Sequence, residues 1–484
     1  MMPSRSSGRY CRARVRRPSM ETLATAGSPG LSDIGGGLFA GAIPFYILAC
    51  NQFPSLGPPM ARFQAPRGTQ DVLPAMQPYW QAVLDAVREV ARLHGFQRID
   101  TPMFEDAAVF EKGSGDTTDI VEKEMYVFED RGGDRLALTP EGTPAIIRAY
   151  LEHGMGSWPQ PVRLYTTHPM FRYDRPQKGR YRQHTQFDCE VLGSSDPLVD
   201  AEVITMLWRL YAMLGIRGVT VRLGSLDDLE PRRAYVQRLK EYYRPYLDRL
   251  SEDSRRRFER NPLRLLDSKD ERDLPYKDGA PKLIDQLSPA AREHHETVQA
   301  ALAAAGVKFV IDPLLVRGLD YYNRTVFEVV PDDDERAQGT IGGGGRYDGL
   351  VELLGGPPTP GIGFGTGIER IILEMQKNGV TFEPWPAAEA FVVHRGEGSS
   401  PAAIRLAADL RERGVATVIG ESGRSLKAQL RSANAAGASV ALILGEDELA
   451  SGSVVIKPLR GNSEQVKVAM AQAGDVVLTH VRGG

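Results

Sequence analysis

Cysteine is scarce in this chain. Cys11, Cys50 and Cys189 are the only three among 484 residues, and they stand far apart. That spacing excludes a disulfide framework and a cysteine-built zinc cluster, and it points to a reducing, cytosolic setting. An excess of charge of either sign is also missing. The 59 Lys and Arg against 62 Asp and Glu leave a net charge of −3. No overall field draws the chain to a polyanion, so any nucleic-acid contact must rest on local patches. The apolar run GLFAGAIPFYILAC (37–50) is too short and too broken by Pro44 to cross a membrane. No internal repeat is present. What remains is the ordinary composition of a soluble globular protein, 42% apolar and 25% charged, long enough for two or three domains.

Residues 1–59 differ in texture from the rest. Arg5, Arg9, Arg12, Arg14, Arg16 and Arg17 precede the first acidic residue, Glu21. Three readings compete: a transit peptide, a late signal h-region, or a disordered or mis-called extension ahead of a start at Met60. An organised pattern begins straight after Met60, which favours the third.

From there a turn-rich segment leads into an amphipathic helix over about 78–94, with Val83, Val87, Val90 and Leu93 on one stripe. FQRIDTPMFED reads as a strand closed by Thr101-Pro102, and EMYVFED and RLAL as a hairpin. A helix opened by Thr139 follows, with Pro140 in its first turn. PVRLYTTHPMFRY and RQHTQFDCEVLG read as strands and PLVDAEVITMLWRLYAML as a helix. Residues 229–310 are charge-rich and helical, an insertion without strand signals. Strands return at PLLVRGLDYYNRTVFEVV, and a glycine-rich pair of segments follows to 385. Beyond 389 strand and helix alternate, predicting a small, mostly parallel α/β domain. The plan is α+β, an antiparallel sheet flanked by helices.

Four segments carry chemistry. FRYDRPQKGRYRQHTQFDCEVLG (171–193) crowds Arg172, Arg175, Lys178, Arg180 and Arg182 onto a turn, then places Gln186 and Glu190 four apart on one strand face. Guanidinium forks suit phosphate, although a solvated cationic surface fits too. In LVRGLDYYNRTVFEVV (315–330), Arg317 sits among apolar neighbours and needs an anionic partner, which Asp320 could supply. GTIGGGGRYDGL and GIGFGTGIER bring open backbone and Arg370, a cation in a helix's first turn, where the dipole disfavours it. The run is neither a dinucleotide fingerprint nor a P-loop. In LTPEGTPA (138–145), Glu141 stands where a carboxylate caps a helix.

Together these motifs, with the opening RGTQDVLP, resemble the histidyl-tRNA synthetases, class II aminoacyl-tRNA synthetases, from Met60 to about residue 470. The resemblance implies a class II antiparallel sheet with a helical insertion and a C-terminal α/β anticodon-binding domain. Its divisions are 60–228 and 311–385 for the catalytic domain, 229–310 for the insertion and 389–484 for the anticodon-binding domain. It implies ATP-dependent ligation of L-histidine to the 3′ end of histidine tRNA through a histidyl-adenylate, with ATP as substrate, Mg2+, a homodimer, no membrane partner and a cytoplasmic location. By motif position it assigns Arg172 and Arg317 to the α-phosphate, and Arg370 to the γ-phosphate. Glu141 and Thr143 fall to histidine's α-amino group, Gly142 and Gln186 also to the histidine pocket, and Glu190, Tyr321, Tyr322 and Tyr347 to the wall that reads the imidazole. Arg175 and Gln177 fall to tRNA. His184 stands where family members usually carry a Phe that stacks on adenine. The alternative is an inactive synthetase paralogue serving as an ATP phosphoribosyltransferase regulatory subunit. Retention of Arg172, Arg317 and Arg370, and a chain that continues past 389, favour the synthetase.

Overall fold

A computed structural model describes residues 63–115, 118–176, 179–333, 339–461 and 464–482. The expectations for residues 1–59 and for Gln177 and Lys178 lie outside these. The chain forms two compact units, one built from Ala82–Phe382, the other from Glu383 onward together with Val72–Gln81.

The first unit is organised by an eight-stranded sheet. Its members are β1 (Gln97–Arg98), β5 (Val162–Phe171), β6 (Gln183–Leu192), β7 (Val219–Ser225), β8 (Phe309–Ile311), β9 (Asn323–Pro331), β10 (Gly342–Arg346) and β11 (Gly361–Gly367). Their order is β1-β5-β6-β11-β10-β9-β7-β8. Every central pairing is antiparallel, and only the edge pairs β1–β5 and β7–β8 are parallel. The α+β expectation therefore holds. A separate three-stranded sheet joins β2 (Phe104–Asp106), β3 (Val127–Glu129) and β4 (Arg135–Leu138). The single strand expected over FQRIDTPMFED is thus two short ones in different sheets, parted at Thr101-Pro102, where Pro removes a ladder donor. Strands β7 and β8 were not expected: β8 is a three-residue edge strand, and β7 is buried on both faces except at Arg222, so neither shows a two-residue period.

Helix α1 (Gln77–Leu93) from Ala82 on, α2 (Ala107–Ser114), α3 (Thr143–Glu152), α4 (Pro197–Met213) and α9 (Ile368–Lys377), with the single turn α8 (Leu350–Leu353), accompany this unit. In α1 the stripe Val83, Val87 and Val90 is buried, but Leu93 is 56% exposed because the helix ends there. Between β7 and β8 lies the expected insertion: α5 (Leu229–Tyr243), α6 (Glu252–Arg260) and α7 (Pro289–Ala304), with short 3₁₀ turns. On α5, Tyr235, Leu239 and Tyr243 recur every four residues and are buried in the same hydrophobic cluster as Ile146, Val326 and Tyr347. Burying each such side chain is worth roughly 1.5–3 kcal/mol. The insertion therefore shares a core with the sheet.

The second unit has its own core, around Val392, Leu406, Leu442 and Ile456. Strands β12 (Ala390–His394), β13 (Thr417–Ile419), β14 (Val440–Leu444), β15 (Ser453–Pro458) and β16 (Val466–Ala469) run in the order β13-β12-β14-β15-β16. They pack with α10 (Ser399–Glu412), α11 (Leu426–Ala435), α12 (Glu446–Ala450) and α13 (Ala473–Arg482). Only the β12–β13 and β12–β14 pairs are parallel, so the sheet is mixed rather than mostly parallel. The final strands return by tight connections too short for a crossover. Arg424, Lys427 and Arg431 are exposed beside and along α11.

Candidate active site

The cationic turn is the connection between β5 and β6, as the sequence indicates. Registers Leu164↔Glu190, Thr166↔Asp188 and His168↔Gln186 fix one face of β6. On its other side β11 places Gly363 opposite Glu190 and Gly365 opposite Asp188. A Cβ at Gly363 would overlap the Glu190 carboxylate, and one at Gly365 would overlap the Gln186 amide. These glycines serve close side-chain approach, the use that lack of a Cβ allows.

Above this face opens a cleft of about 800 Å³. Among the expected residues, Arg172, Glu141, Gly142, Thr143, His184, Gln186, Arg317, Tyr321, Tyr322, Tyr347 and Arg370 line it. Glu190 does not reach its surface. It lies behind, 1% exposed, accepting from Thr143 Oγ1 at 2.6 Å and from the Tyr347 hydroxyl. Arg175 is exposed outside the cleft, its amide bonded to Asp174 at 2.6 Å.

Of the turn's arginines, Arg172 and Arg180 line the cleft, whereas Arg182 stacks on the Tyr173 ring at 3.8 Å. Arg172 donates its Nε to the Pro140 carbonyl at 2.7 Å, leaving its outer nitrogens toward the cleft. Arg370 donates to the carbonyls of Gly179, at 3.0 Å, and Thr340, tying the turn to α9. The adjacent Glu369 accepts the Thr185 amide at 2.9 Å.

Two expectations need correction. Arg317 is on a loop, since β9 begins only at Asn323. Its partner is Glu328, not Asp320, and its Nε is buried without a partner. Asp320 instead accepts from Asn261 of the insertion. Likewise Glu141 does not cap a helix. Helix α3 starts at Thr143, and the 3%-exposed Glu141 accepts from Ser114 and, at 3.0 Å, from the Tyr321 hydroxyl.

Asp188 had no assigned role, although it shares the parity of Gln186 and Glu190. It is 2% exposed, accepts from Gln186, and its Oδ2 has no partner. Glu141, Asp188 and Glu190 thus form a buried acidic floor. Burial pushes Asp188 up to about 7 and Glu190 up to about 8, and neighbouring carboxylates push the same way. A site of this kind fits a ligand with cationic nitrogens at one end and phosphates, facing the arginines, at the other.

A family model described as "Histidyl-tRNA synthetase" matches residues 68–371, and one described as "Anticodon binding domain" matches 389–480. The chain belongs to the histidyl-tRNA synthetase family. It is 50% identical over 398 residues to a histidine--tRNA ligase of Dehalococcoides mccartyi, covering 82% of this chain and 95% of the relative. It is 46% identical over 400 residues to the one of Desulforamulus reducens, covering 83% and 95%. The solved apo histidyl-tRNA synthetase of S. aureus matches with a TM-score of 0.72 and 32% identity, over 86% of this chain and 99% of that one.

The acidic floor gives this synthetase a pH signature. The ordinary value for Asp188 is 3.8, so its folded form holds a proton that the unfolded chain releases near pH 4. Stability from this group is present below that pH and is lost as pH rises through about 7. The gap corresponds to roughly 4 kcal/mol at most. Asp188→Asn, which keeps an acceptor for Gln186, is expected to raise the Tm of the ligand-free protein at pH 8 by several degrees. The same variant should raise the Tm at pH 5 by less than half as much, because only about one of the roughly three pH units of loss has been crossed there. Equal shifts at both pH values would show that Asp188 is ionised throughout.

Proposed function

We propose that this cleft activates L-histidine with ATP and passes the histidyl group to the 3′ end of its tRNA, with the residue roles that follow. The observation that carries the reading is the convergence of Arg172, Arg317 and Arg370 from three separate chain segments onto one cleft with an acidic floor. Histidine's carboxylate oxygen attacks the α-phosphorus, the bond to the bridging oxygen breaks, and pyrophosphate leaves. Arg172 and Arg317 neutralise charge developing on the α-phosphoryl oxygens, and Arg370 faces the γ-phosphate. Stabilisation of this kind, by fixed groups in a partly dry site, needs no covalent help from the protein. Glu141, Gly142, Thr143 and Gln186 hold the α-ammonium, with the partnerless Oδ2 of Asp188 as a further acceptor. Tyr321, Tyr322 and Tyr347, backed by Glu190, read the imidazole nitrogens; an isostere without them would leave buried polar groups unpaired. In the second step a terminal ribose hydroxyl attacks the acyl carbon and AMP departs.

Among the described residues no group of three or more His, Cys, Asp or Glu side chains is placed to hold a metal ion. Mg2+ would arrive on the phosphates of the nucleotide substrate. Arg175 and, by its motif position, Gln177 serve the tRNA acceptor end, the unit from 389 binds the anticodon, and the chain works as a cytoplasmic homodimer. No helix among the described residues is long and apolar enough to cross a membrane.

Histidine-dependent ATP–pyrophosphate exchange, followed by charging of histidine tRNA, tests the reading. Exchange that needs histidine supports it, and its absence from the folded chain overturns it. His184 gives a finer check. Burial, helped by the Arg172 charge, lowers its imidazole to about 4, so it meets adenine uncharged near neutrality. The pH profiles of ATP KM for the parent and His184→Phe are expected to run parallel from pH 6 to 8, within about threefold of each other. An inflection near pH 6.5 present only in the parent would refute a neutral stacking imidazole.

A further inference from the structure

The chain leaves the sheet for the insertion at Asp227 and, after the loop 317–322, enters β9 at Arg324; both residues are in the left-handed region, at φ 59° and 45°. They are the only non-glycine residues there among the described ones. Side chains of this kind persist in such backbone only where their surroundings over-determine it. Here the surroundings are each other. The Arg324 amide donates to the Asp227 carbonyl at 3.0 Å, and the Arg324 carbonyl accepts from Leu226 at 2.7 Å.

Side chains then tie the insertion to this junction. The fully buried Asp227 carboxylate accepts both the amide and the hydroxyl of Ser288, at 2.7 Å each, and Ser288 caps α7. The first helix and the last helix of the insertion are thereby stapled at their starts. Asp228, at the N-cap of α5, holds Arg324 in a two-pronged pair at 2.7 and 2.9 Å. One turn on, Arg232 donates to the main-chain carbonyl of Tyr322. Tyr322 ends the loop 317–322 that bears Arg317 and Tyr321. The next residue, Asn323, exchanges two bonds with Asp348, beside Tyr347, at 3.0 and 2.9 Å.

We propose that Asp228 and Arg232 are positioning residues, through which the helical insertion sets the loop 317–322 and with it histidine binding. Neither touches the cleft: Arg232 acts directly on the Tyr322 carbonyl, and Asp228 acts through the Arg324 side chain two residues farther along. The inference rests on the histidine assignment of Tyr321 and Tyr322 made above.

The test is steady-state pyrophosphate exchange with histidine and ATP varied in turn, on the full chain, Arg232→Met, Arg232→Lys and Asp228→Asn. The Asp228 side chain makes no cap bond to α5, so Asp228→Asn leaves the start of that helix intact even where Arg232→Met folds poorly. Expected is a rise in histidine KM of about tenfold for Arg232→Met and Asp228→Asn, with ATP KM within about twofold and partial recovery in Arg232→Lys. A merely structural loosening raises both KM values together. That outcome, or a histidine KM within twofold of the parent, overturns the proposal while parental exchange leaves the functional reading intact. A parent chain without histidine-dependent exchange overturns both.

Discussion

Arg317→Ala is expected to lower kcat for histidine-dependent pyrophosphate exchange by at least 10²–10³-fold, roughly the cost of removing one preorganised charge-stabilising donor. ATP KM should change little. The reasoning rests on where the guanidinium is anchored. Glu328 takes only one terminal nitrogen, Nη1. Glu328 is itself held by Thr340 at 2.9 Å, so the pair is braced before any substrate arrives. Gly343 lies alongside, where an added Cβ would stand 3.1 Å from Arg317 Nη1. A cation fixed in this way costs no reorganisation when charge develops on the α-phosphate. Arg317→Lys should recover little, because a point charge on a flexible stem cannot keep one contact with Glu328 and present a fork to phosphate. Both side chains remain about one-fifth exposed, so truncation leaves Glu328 partly hydrated and the fold intact. Exchange within tenfold of the parent, with the Tm preserved, would remove Arg317 from the chemistry.

The same residue shows how far the sequence could be read. Its burial and need for an anion followed from its apolar neighbours, but its partner did not. Asp320, three residues away, was the local candidate; Glu328 wins because β9 carries it back under the loop. Apolar and aromatic residues also made LVRGLDYY resemble a strand, since a buried loop over a core has the same composition as a strand. The β5–β6 hairpin was legible because everything needed was local: turn chemistry at Pro176 and Gly179, and a two-residue period that puts Gln186 and Glu190 on one face. That period also pointed to Asp188, and no further information was needed to find it. Glu141 was harder. A carboxylate just ahead of a helix ordinarily caps it, and only the fold brings Ser114 and Tyr321 to this one. Insertion and sheet could be told apart by texture, whereas their shared core could not, because the α5 stripe meets residues remote in sequence.

Arg346 marks the far end of that scale, and replacing it should give the largest loss of stability in the sheet-bearing unit. GGGGRYDGL was conspicuous for its glycines, yet its arginine is wholly buried. It pairs with the equally buried Asp200, and donates at 2.9 Å to Asp348 and at 2.8 Å to the Ser194 carbonyl. His294 of α7 meets the same Asp200 at 2.7 Å. One guanidinium thus compensates two carboxylates reached from the helix α4 and from the turn that follows β10. Arg346→Met fills the space but takes the guanidinium from the buried Asp200, which keeps only His294 beside it, while the part-exposed Asp348 keeps Asn323. Removing one partner of a buried pair costs about 3–5 kcal/mol, a fall in Tm of roughly 5–10 °C for a unit of this size. The stranded charge dominates that cost. Adding Asp200→Asn to Arg346→Met should therefore recover part of it, although each change alone is destabilising. Losses that simply add would assign the cost to packing around Arg346 instead. Because Tyr347 follows directly and Asp348 holds Asn323, the single variant should also raise histidine KM, joining stability and substrate binding at one buried charge.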